Sequence, residues 1–172
     1  MNPEELAPTN HCPASLEHRA SGLRLRPAHP GEAETLSAIA REAKGSWGYP
    51  EHWLSQWQGA LTISPGFIAS GLATVAVDQN EIAGFYGLEW RDSILWLEHL
   101  WIRPAWMRQG VGTLLAKVAM NQAHFLGSPK LYAESDPNAE GFYLRLGGRR
   151  VDAIRSQIDG CVRIVPILEF VL

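Results

Sequence analysis

The sequence has little of what marks a secreted, membrane-spanning or nucleic-acid-binding protein. Only two cysteines, Cys12 and Cys161, occur in 172 residues, too few for a disulfide framework. A net charge of -3 provides no clustered basic surface for nucleic acid. No apolar run approaches the roughly 20 residues that span a bilayer, and the N-terminus shows no secretion signal. We therefore expect a cytoplasmic protein with reduced cysteines and without nucleic-acid or membrane partners, although the sequence leaves a pairing of the two cysteines open.

Composition and length fit a single globular domain. Hydrophobic residues make up 46% of the chain and charged residues 19%, which is typical of globular proteins. A chain of this length buries about two-thirds of the surface that it exposes when unfolded. Residues 1–21 contain three prolines and no periodic apolar pattern, so we expect a leader there that is poorly structured or docked. Residues 22–172 are predicted to form one domain.

The stretch from Leu95 to Leu126 predicts a strand, a glycine-containing turn and a helix. It opens with large apolar and aromatic residues over the length of a strand. Proline cannot donate a ladder hydrogen bond, so the strand should end before Pro104. From Val111 onward, apolar residues recur at the spacing of one helical face. The region is therefore a predicted strand–turn–helix unit.

Two glycines, Gly110 and Gly112, lie at the predicted start of that helix. The first amides of a helix have no partner within it, and the helix dipole adds partial positive charge. Glycines let a phosphate approach the backbone, and Arg108 adds a nearby cation. The same turn could also close a strand–helix unit without any ligand. The glycine pair alone therefore leaves phosphate binding open.

Two common phosphate-binding motifs fit this turn poorly. A nucleotide P-loop needs Lys followed by Ser or Thr after its last glycine, and here Thr113 and Leu114 follow instead. A dinucleotide fingerprint needs a small residue three positions after Gly112, where Leu115 occurs. Glu134 does lie at a suitable distance to contact a ribose, so the dinucleotide interpretation is weakened but stays open.

The loop at residues 107–112, Met-Arg-Gln-Gly-Val-Gly, resembles the acyl-CoA loop of the GNAT superfamily of N-acetyltransferases, although Met replaces the usual polar first residue. That loop also follows an aromatic strand and opens an amphipathic helix. Downstream, the superfamily has a strand, an Asn, a short helix carrying Phe-Tyr, and then Leu-Gly. The same features occur here in the same order and spacing: Leu131–Ser135, Asn138, Phe142, Tyr143, Leu146 and Gly147. Two motifs with the right intervening helix are more specific than either alone.

The resemblance covers about residues 23–172 and implies an α/β (α+β) fold of the GNAT type. That fold has a mixed, mostly antiparallel, twisted sheet of about six or seven strands, flanked by about four helices, with splayed central strands. The residue patterns agree, since they predict one strand, two helices, a three-stranded meander, a helix, a strand, a helix and closing strands. The last strand, Cys161–Phe170, contains Pro166, which predicts an edge or a bulge there.

The resemblance also implies acetyl-CoA as a cosubstrate. Its pyrophosphate is expected on the amides from Gln109 to Thr113, and Asn138 would bond the pantetheine arm, cap the turn after Pro137, or do both. The implied acetyl-CoA contacts are Leu100, Trp101, Ile102, Arg108, Gln109, Gly110, Val111, Gly112, Thr113, Asn138 and Tyr143. We expect no metal, because the histidines and cysteines lack ligand spacing.

Two residues are candidates for acid–base chemistry. The resemblance implies Tyr143 as the acid that protonates the leaving thiolate, although a Tyr can instead pack as a buried anchor. Glu98 lies nine residues before Met107, the spacing of the strand glutamate in histone-type members, and is the candidate base. It could instead form a structural ion pair, and Glu89 is a second candidate acting through water. In a regular strand His99 faces the opposite side as a packing residue.

The acceptor is the least specified part. The segment before the meander usually builds one wall of the acceptor pocket in this superfamily. We expect Trp47, Tyr49, Glu89 and Trp90 to bind the acceptor, whereas Trp53 and Trp57, at helical spacing, are expected in the core. This lining favours transfer to a primary amine of a small molecule, by direct attack in a ternary complex. A non-catalytic acyl-CoA sensor and a peptide or protein N-acetyltransferase are the alternatives, and a homodimer is compatible with each.

Overall fold

The computed structural model describes residues 22–172, so the predicted leader and Cys12 lie outside the described residues. Within this part of the chain, one seven-stranded sheet is flanked by five helices. The strands are β1 (Arg24–Pro27), β2 (Ala73–Asp78), β3 (Glu81–Arg91), β4 (Ile94–Ile102), β5 (Lys130–Glu134), β6 (Arg149–Ile158) and β7 (Cys161–Val171). The helices are α1 (Ala33–Gly45), α2 (Glu51–Gln56), α3 (Pro65–Ala69), α4 (Val111–Phe125) and α5 (Glu140–Arg145). The predicted α+β fold is confirmed.

The sheet splays open between its central strands. Its order is β1-β2-β3-β4-β5-β7-β6, and β4 with β5 is its one parallel pair among the described residues. That ladder pairs only Leu95 with Leu131 and Trp96 with Tyr132. Beyond these pairs β4 continues to Ile102 without a partner on its β5 side. Backbone groups on that edge of β4 are therefore free to face a ligand.

Apolar residues form two cores, one on each face of the sheet. Val75 and Val77 of β2 belong to one core and Ala76 to the other, as the alternation of a strand requires. The first core is covered by α1, whose Leu36 and Ile39 are fully buried. The second core is covered by the apolar face of α4. The helical spacing that predicted α1 and α4 therefore corresponds to these two buried faces.

A β-bulge interrupts β4 at Glu98. Leu97 lies opposite Leu88 of β3 and His99 lies opposite Gly87, so Glu98 has no partner on β3. Such a bulge bends the strand and re-aims the side chain at the inserted position.

The bulge also reverses the alternation of β4. Leu97 packs in the core under α4, and so do Leu100 and Ile102. An odd-numbered and two even-numbered residues therefore share one face, which a regular strand would not allow. Trp101 packs in the other core. A regular strand would place Glu98 on the same face as Leu100 and Ile102, but the bulge breaks this alternation, because one inserted residue shifts every later side chain to the other face.

A short helix, α3, was not predicted from the sequence. Ser64 caps it by accepting a hydrogen bond from the Phe67 amide at 3.0 Å, and Pro65 fills its first turn. A β-carbon at Gly87 would come within 2.5 Å of the Phe67 ring. Gly87 therefore makes room for Phe67, which packs edge-on against His99.

Pro166 lies where β7 extends past the end of β5. Residues 167–171 of β7 pair with β5, whereas residues 161–166 pair only with β6. The Pro166 carbonyl accepts a hydrogen bond from the Ser135 amide at 2.8 Å. β7 thus has a partner strand on both sides along its second half and only β6 as a partner at Pro166. Proline lacks an amide donor and is tolerated where one side of the strand has no partner strand.

Candidate active site

A cavity of about 680 Å³ opens where β4 and β5 separate. Residues of α1, β4, the loop before α4, the segment after β5 and α5 all line it. The predicted site residues among its lining are Trp47, Glu98, Leu100, Trp101, Ile102, Arg108, Gly110, Gly112, Thr113, Asn138 and Tyr143. The volume lies within the range of roughly 300–1,000 Å³ that is common for small-molecule sites.

The N-terminus of α4 faces this cavity without a capping side chain. Gly110 is the cap residue, with φ of 82°, and as a glycine it has no side chain to supply an acceptor. Arg108 also has a positive φ, 59°. The amides of the first turn are therefore available to an anion, which the helix dipole favours. A turn of this kind can bind a phosphate group.

Two predicted acetyl-CoA contacts have side chains outside the cavity lining. Val111 is fully buried in the core. The Gln109 side-chain amide donates a hydrogen bond to the Ala105 carbonyl at 2.6 Å. These residues are placed to contribute backbone amides rather than side chains to a bound phosphate.

Tyr143 lies on α5 and lines the cavity with a nearly buried side chain. Its ring packs edge-on against Phe142 and Phe170. Among residues 22–172, no group forms a hydrogen bond with its hydroxyl. Burial raises the pKa of Tyr143 well above its ordinary value. The side chain therefore keeps its proton at physiological pH.

Asn138 follows β5 in a turn held by Asp136. Asp136 accepts a hydrogen bond from the Asn138 backbone amide at 2.9 Å. The Asn138 side chain donates to the Tyr49 hydroxyl at 2.9 Å while still lining the cavity. Both interpretations from the sequence, a turn residue and a cavity residue, are compatible with this position.

Asp136 is the centre of a buried ionic cluster, and its side chain is 4% exposed. Lys44 and Arg163 both form ion pairs with it, Arg163 at 3.0 Å. The Tyr49 hydroxyl is 3.0 Å from the same carboxylate. Burial alone would raise the pKa of Asp136, but the hydrogen bond and charge of Lys44 outweigh it and hold that pKa below its ordinary value. Burial lowers the pKa of Lys44.

A second cavity, of about 240 Å³, adjoins the first one and shares Leu97, Glu98 and Trp101 with it. Trp57 is part of its wall, so the prediction that this residue lies in the core rather than the pocket was wrong. Lys44 Nζ and Arg163 Cζ each lie 4.5 Å from a Trp57 ring centroid. The aromatic wall therefore also stabilises both cations.

Three carboxylates surround Arg91 beside these cavities. It forms ion pairs with Glu98, with Glu89 at 3.2 Å and with Glu134 at 3.0 Å. Its guanidinium also lies 4.7 Å from the Trp96 ring centroid. Burial, together with the negative charges of Glu89 and Glu134, raises the pKa of Glu98 although Arg91 opposes this shift. Glu98 is thus both the candidate base and a partner in an ion pair, so the two interpretations from the sequence apply to the same residue.

The predicted acceptor residues lie in three different settings. Trp47 lines the larger cavity. Tyr49 lies behind the cavities, where it is bonded to Asp136. Glu89 pairs with Arg91, and Trp90 is 44% exposed, and neither of them lines either cavity.

Some site residues were missed by sequence reasoning. Arg91, Lys44, Asp136 and Arg163 come from four distant segments that only the folded sheet brings together. Nothing in their local sequence distinguishes them from surface charges. His99 packs against Phe67 and Phe85, and it also lines the second cavity. Its Nδ1 accepts a hydrogen bond from the Trp101 indole at 3.3 Å, and burial lowers its pKa to about 4.

The described residues contain no cluster of three metal-ligating side chains. No helix in this part of the chain is long and apolar enough to span a bilayer. Cys161 is a free, exposed thiol at the start of β7.

Comparison with known proteins identifies the family and the fold. Residues 34–148 match the sequence model of the acetyltransferase (GNAT) family. No curated protein sequence matches. A GCN5-related N-acetyltransferase from Rhodopseudomonas palustris superposes with a TM-score of 0.71 at 21% identity, over 87% of this chain and 96% of that chain. PaiA N-acetyltransferase from Thermoplasma acidophilum, solved in complex with coenzyme A, has a TM-score of 0.72 at 18% identity, over 87% and 99%.

A third structure extends the range of acceptors among these neighbours. The ribosomal-protein-S18-alanine N-acetyltransferase from Escherichia coli has a TM-score of 0.65 at 17% identity, over 87% of this chain and 93% of that chain. At these identities the structures show a shared fold, whereas the family model covers most of the chain. The chain belongs to the acetyltransferase (GNAT) family.

Proposed function

We propose that this acetyltransferase moves the acetyl group of acetyl-CoA to a primary amine of a small molecule, by direct attack in a ternary complex. Membership of the family makes acetyl-CoA the acyl donor. The proposal depends mainly on one observation: Tyr143 and Glu98 line the same cavity as the uncapped N-terminus of α4. A proton donor, a carboxylate and an anion site are thus available around one gap in the sheet.

The anion site fits the donor. The first-turn amides of α4, with Arg108 nearby, would hold the pyrophosphate. Leu100 and Ile102 lie on the open edge of β4, where the pantetheine arm would run toward the splayed strands. This arrangement would place the thioester beside Glu98 and Tyr143.

Proton transfers complete the reaction. Glu98 takes a proton from the ammonium group of the acceptor, and the amine nitrogen then forms a bond to the thioester carbon. The carbon–sulfur bond breaks, and the Tyr143 hydroxyl donates its proton to the leaving thiolate. The resulting phenolate takes up the second proton, which the nitrogen loses as the amide forms. The raised pKa of Glu98 suits a base that works near neutral pH, and the raised pKa of Tyr143 keeps the acid protonated.

The size of the second cavity favours a small acceptor. At about 240 Å³ it is below the roughly 300–1,000 Å³ of pockets for drug-sized ligands. Three tryptophans, Trp57, Trp96 and Trp101, contribute to its walls. A compact amine fits this enclosure better than an extended peptide.

An acceptor screen tests the proposal. Release of free thiol from acetyl-CoA would be measured with a panel of small amines and a matched panel of peptides that have free N-termini or lysines. We expect turnover with members of the first panel. Turnover with peptides alone would favour the protein acetyltransferase, and binding of acetyl-CoA without turnover on either panel would favour the sensor.

A further inference from the structure

Arg163, on β7, has unused hydrogen-bonding capacity at the second cavity. Its Nη2 donates to Asp136 at 3.0 Å and lies 3.4 Å from the Tyr49 hydroxyl. Among residues 22–172, its Nε and Nη1 atoms have no acceptor, although the side chain is only 13% exposed and lines the cavity. Asp136 and the face of Trp57 hold the guanidinium in place. It therefore holds N–H donors, those on Nε and Nη1, in fixed positions where a ligand in the cavity can accept from one of them.

The charges around this cavity differ between its β4 and β7 sides. On the β7 side, Lys44 and Arg163 share the single carboxylate of Asp136, which leaves an excess of positive charge. On the β4 side, Glu98 lines the cavity, and Arg91, the cation that pairs with it, is also shared with Glu89 and Glu134. The end of β5 lies between these sides, because the sheet order is β4-β5-β7. A ligand with one positive and one negative group matches both sides.

We propose that the acceptor is an aminocarboxylate, such as an amino acid, and that Arg163 binds its carboxylate. An N–H of the guanidinium that Asp136 does not use can donate a charge-assisted hydrogen bond to a carboxylate oxygen. The amine of the same molecule would then lie toward Glu98, and its apolar part against Trp57 and Trp101. This inference rests on the proposed transfer to a small amine and names its substrate class.

Matched acceptors test the proposal. L-phenylalanine would be compared with 2-phenylethylamine, and L-leucine with 3-methylbutylamine, as kcat/KM for thiol release from acetyl-CoA. Each pair differs by the carboxylate. The basicity of each amine is the same for every enzyme variant. A change between variants in the ratio of the two kcat/KM values is therefore due to the substituted side chain.

Replacement of Arg163 should abolish the preference. In Arg163→Gln, which keeps a donor toward Asp136, the ratio for each pair should fall on the order of 10- to 100-fold. Arg163→Lys should retain part of it. Arg155→Gln is the matched control, because Arg155 is an exposed arginine on β6 that lines neither cavity, and it should keep the wild-type ratio.

A competition experiment needs no variant. N,N,N-trimethylphenylalanine has no transferable amine proton, and it should inhibit acetylation of 2-phenylethylamine more strongly than trimethyl(2-phenylethyl)ammonium does. Equal inhibition, or ratios unchanged in Arg163→Gln, would overturn the aminocarboxylate assignment while transfer to small amines still stood. Absence of transfer to every small amine would instead refute the proposed function.

Discussion

The two halves of the site are built in different ways. The donor half, around the start of α4, consists mainly of backbone: uncapped amides, a positive φ at Gly110 and an open strand edge. The acceptor half, between β4 and β7, consists of charged side chains that hold each other, with Asp136 and Arg91 as centres. Backbone amides at a helix N-terminus favour an anion whatever the rest of the ligand is, whereas charged side chains can change without disturbing the fold. We therefore expect the donor half to be a feature of the family and the acceptor half to be specific to this chain.

Substitutions can distinguish the two halves, because the charged residues of the acceptor half are expected to contribute to the stability of the fold as well as to acceptor binding. Asp136→Asn leaves Lys44 and Arg163 as buried cations without a carboxylate. We expect the free energy of unfolding at neutral pH to fall by about 3 kcal/mol, measured by urea denaturation. The pKa of Asp136 is lowered in the folded state, so its contribution is present above the unfolded-state pKa and is lost as pH falls through the folded-state value. The free energies of unfolding of the wild type and of Asp136→Asn should therefore begin to converge near pH 4 and converge fully only below the folded-state pKa.

Glu134→Gln is the control for that effect. Glu134 also loses an ion pair, but its side chain is 41% exposed, and so its stability loss should stay within about 1 kcal/mol. Equal losses in the two variants would mean that the Asp136 cluster contributes no more than an ordinary surface ion pair.

Tyr143→Phe tests whether chemistry depends on the hydroxyl that faces the donor half. The ring keeps its contacts with Phe142 and Phe170, so folding should be preserved. We expect kcat to fall on the order of 100-fold with little change in acetyl-CoA affinity. Tyr132→Phe, which removes a hydroxyl bonded to Glu169 away from both cavities, should leave kcat unaltered. Normal turnover in Tyr143→Phe would make Tyr143 a packing residue.

The sequence predicted the donor half better than the acceptor half, for a physical reason. The glycine loop, α4, Asn138 and Tyr143 lie in local patterns whose spacing reflects backbone geometry. Lys44, Asp136 and Arg163 meet only because β7 inserts between β5 and β6, and a long-range strand order of this kind leaves no local signal. Tyr49 was predicted in the acceptor pocket because of its turn, yet its hydroxyl serves this buried cluster.

The bulge in β4 shows a second limit of sequence reasoning. Regular alternation predicts a single face for Glu98. The inserted residue is neither a glycine nor a proline, so its residue type does not signal the bulge. The residue type and its nearness to the site were predictable, whereas its direction depended on how β4 pairs with β3.

Gly110→Val tests the backbone of the donor half. A β-branched residue is strained at a φ of 82° and fills the approach to the α4 amides. We expect affinity for coenzyme A, measured by calorimetry, to fall by more than about tenfold. Gly127→Val is the matched control, because Gly127 follows the other end of α4, has a φ of 79° and faces open space. If both variants bind coenzyme A like the wild type, the loop is not part of the donor site.

The smallest effect is expected for Glu98→Gln, and it should depend on pH. As a base, Glu98 must be ionised, so turnover should decline as pH falls through its pKa, which lies above the ordinary glutamate value. Glu98→Gln should remove that acidic limb and lower kcat by about tenfold at neutral pH, with less effect at high pH, where more of the acceptor is already deprotonated. Glu89→Gln should keep the limb, since Glu89 shares Arg91 but lines neither cavity. A limb that survives in Glu98→Gln and disappears in Glu89→Gln would transfer the role of base to Glu89, and one that survives in both would assign it to water.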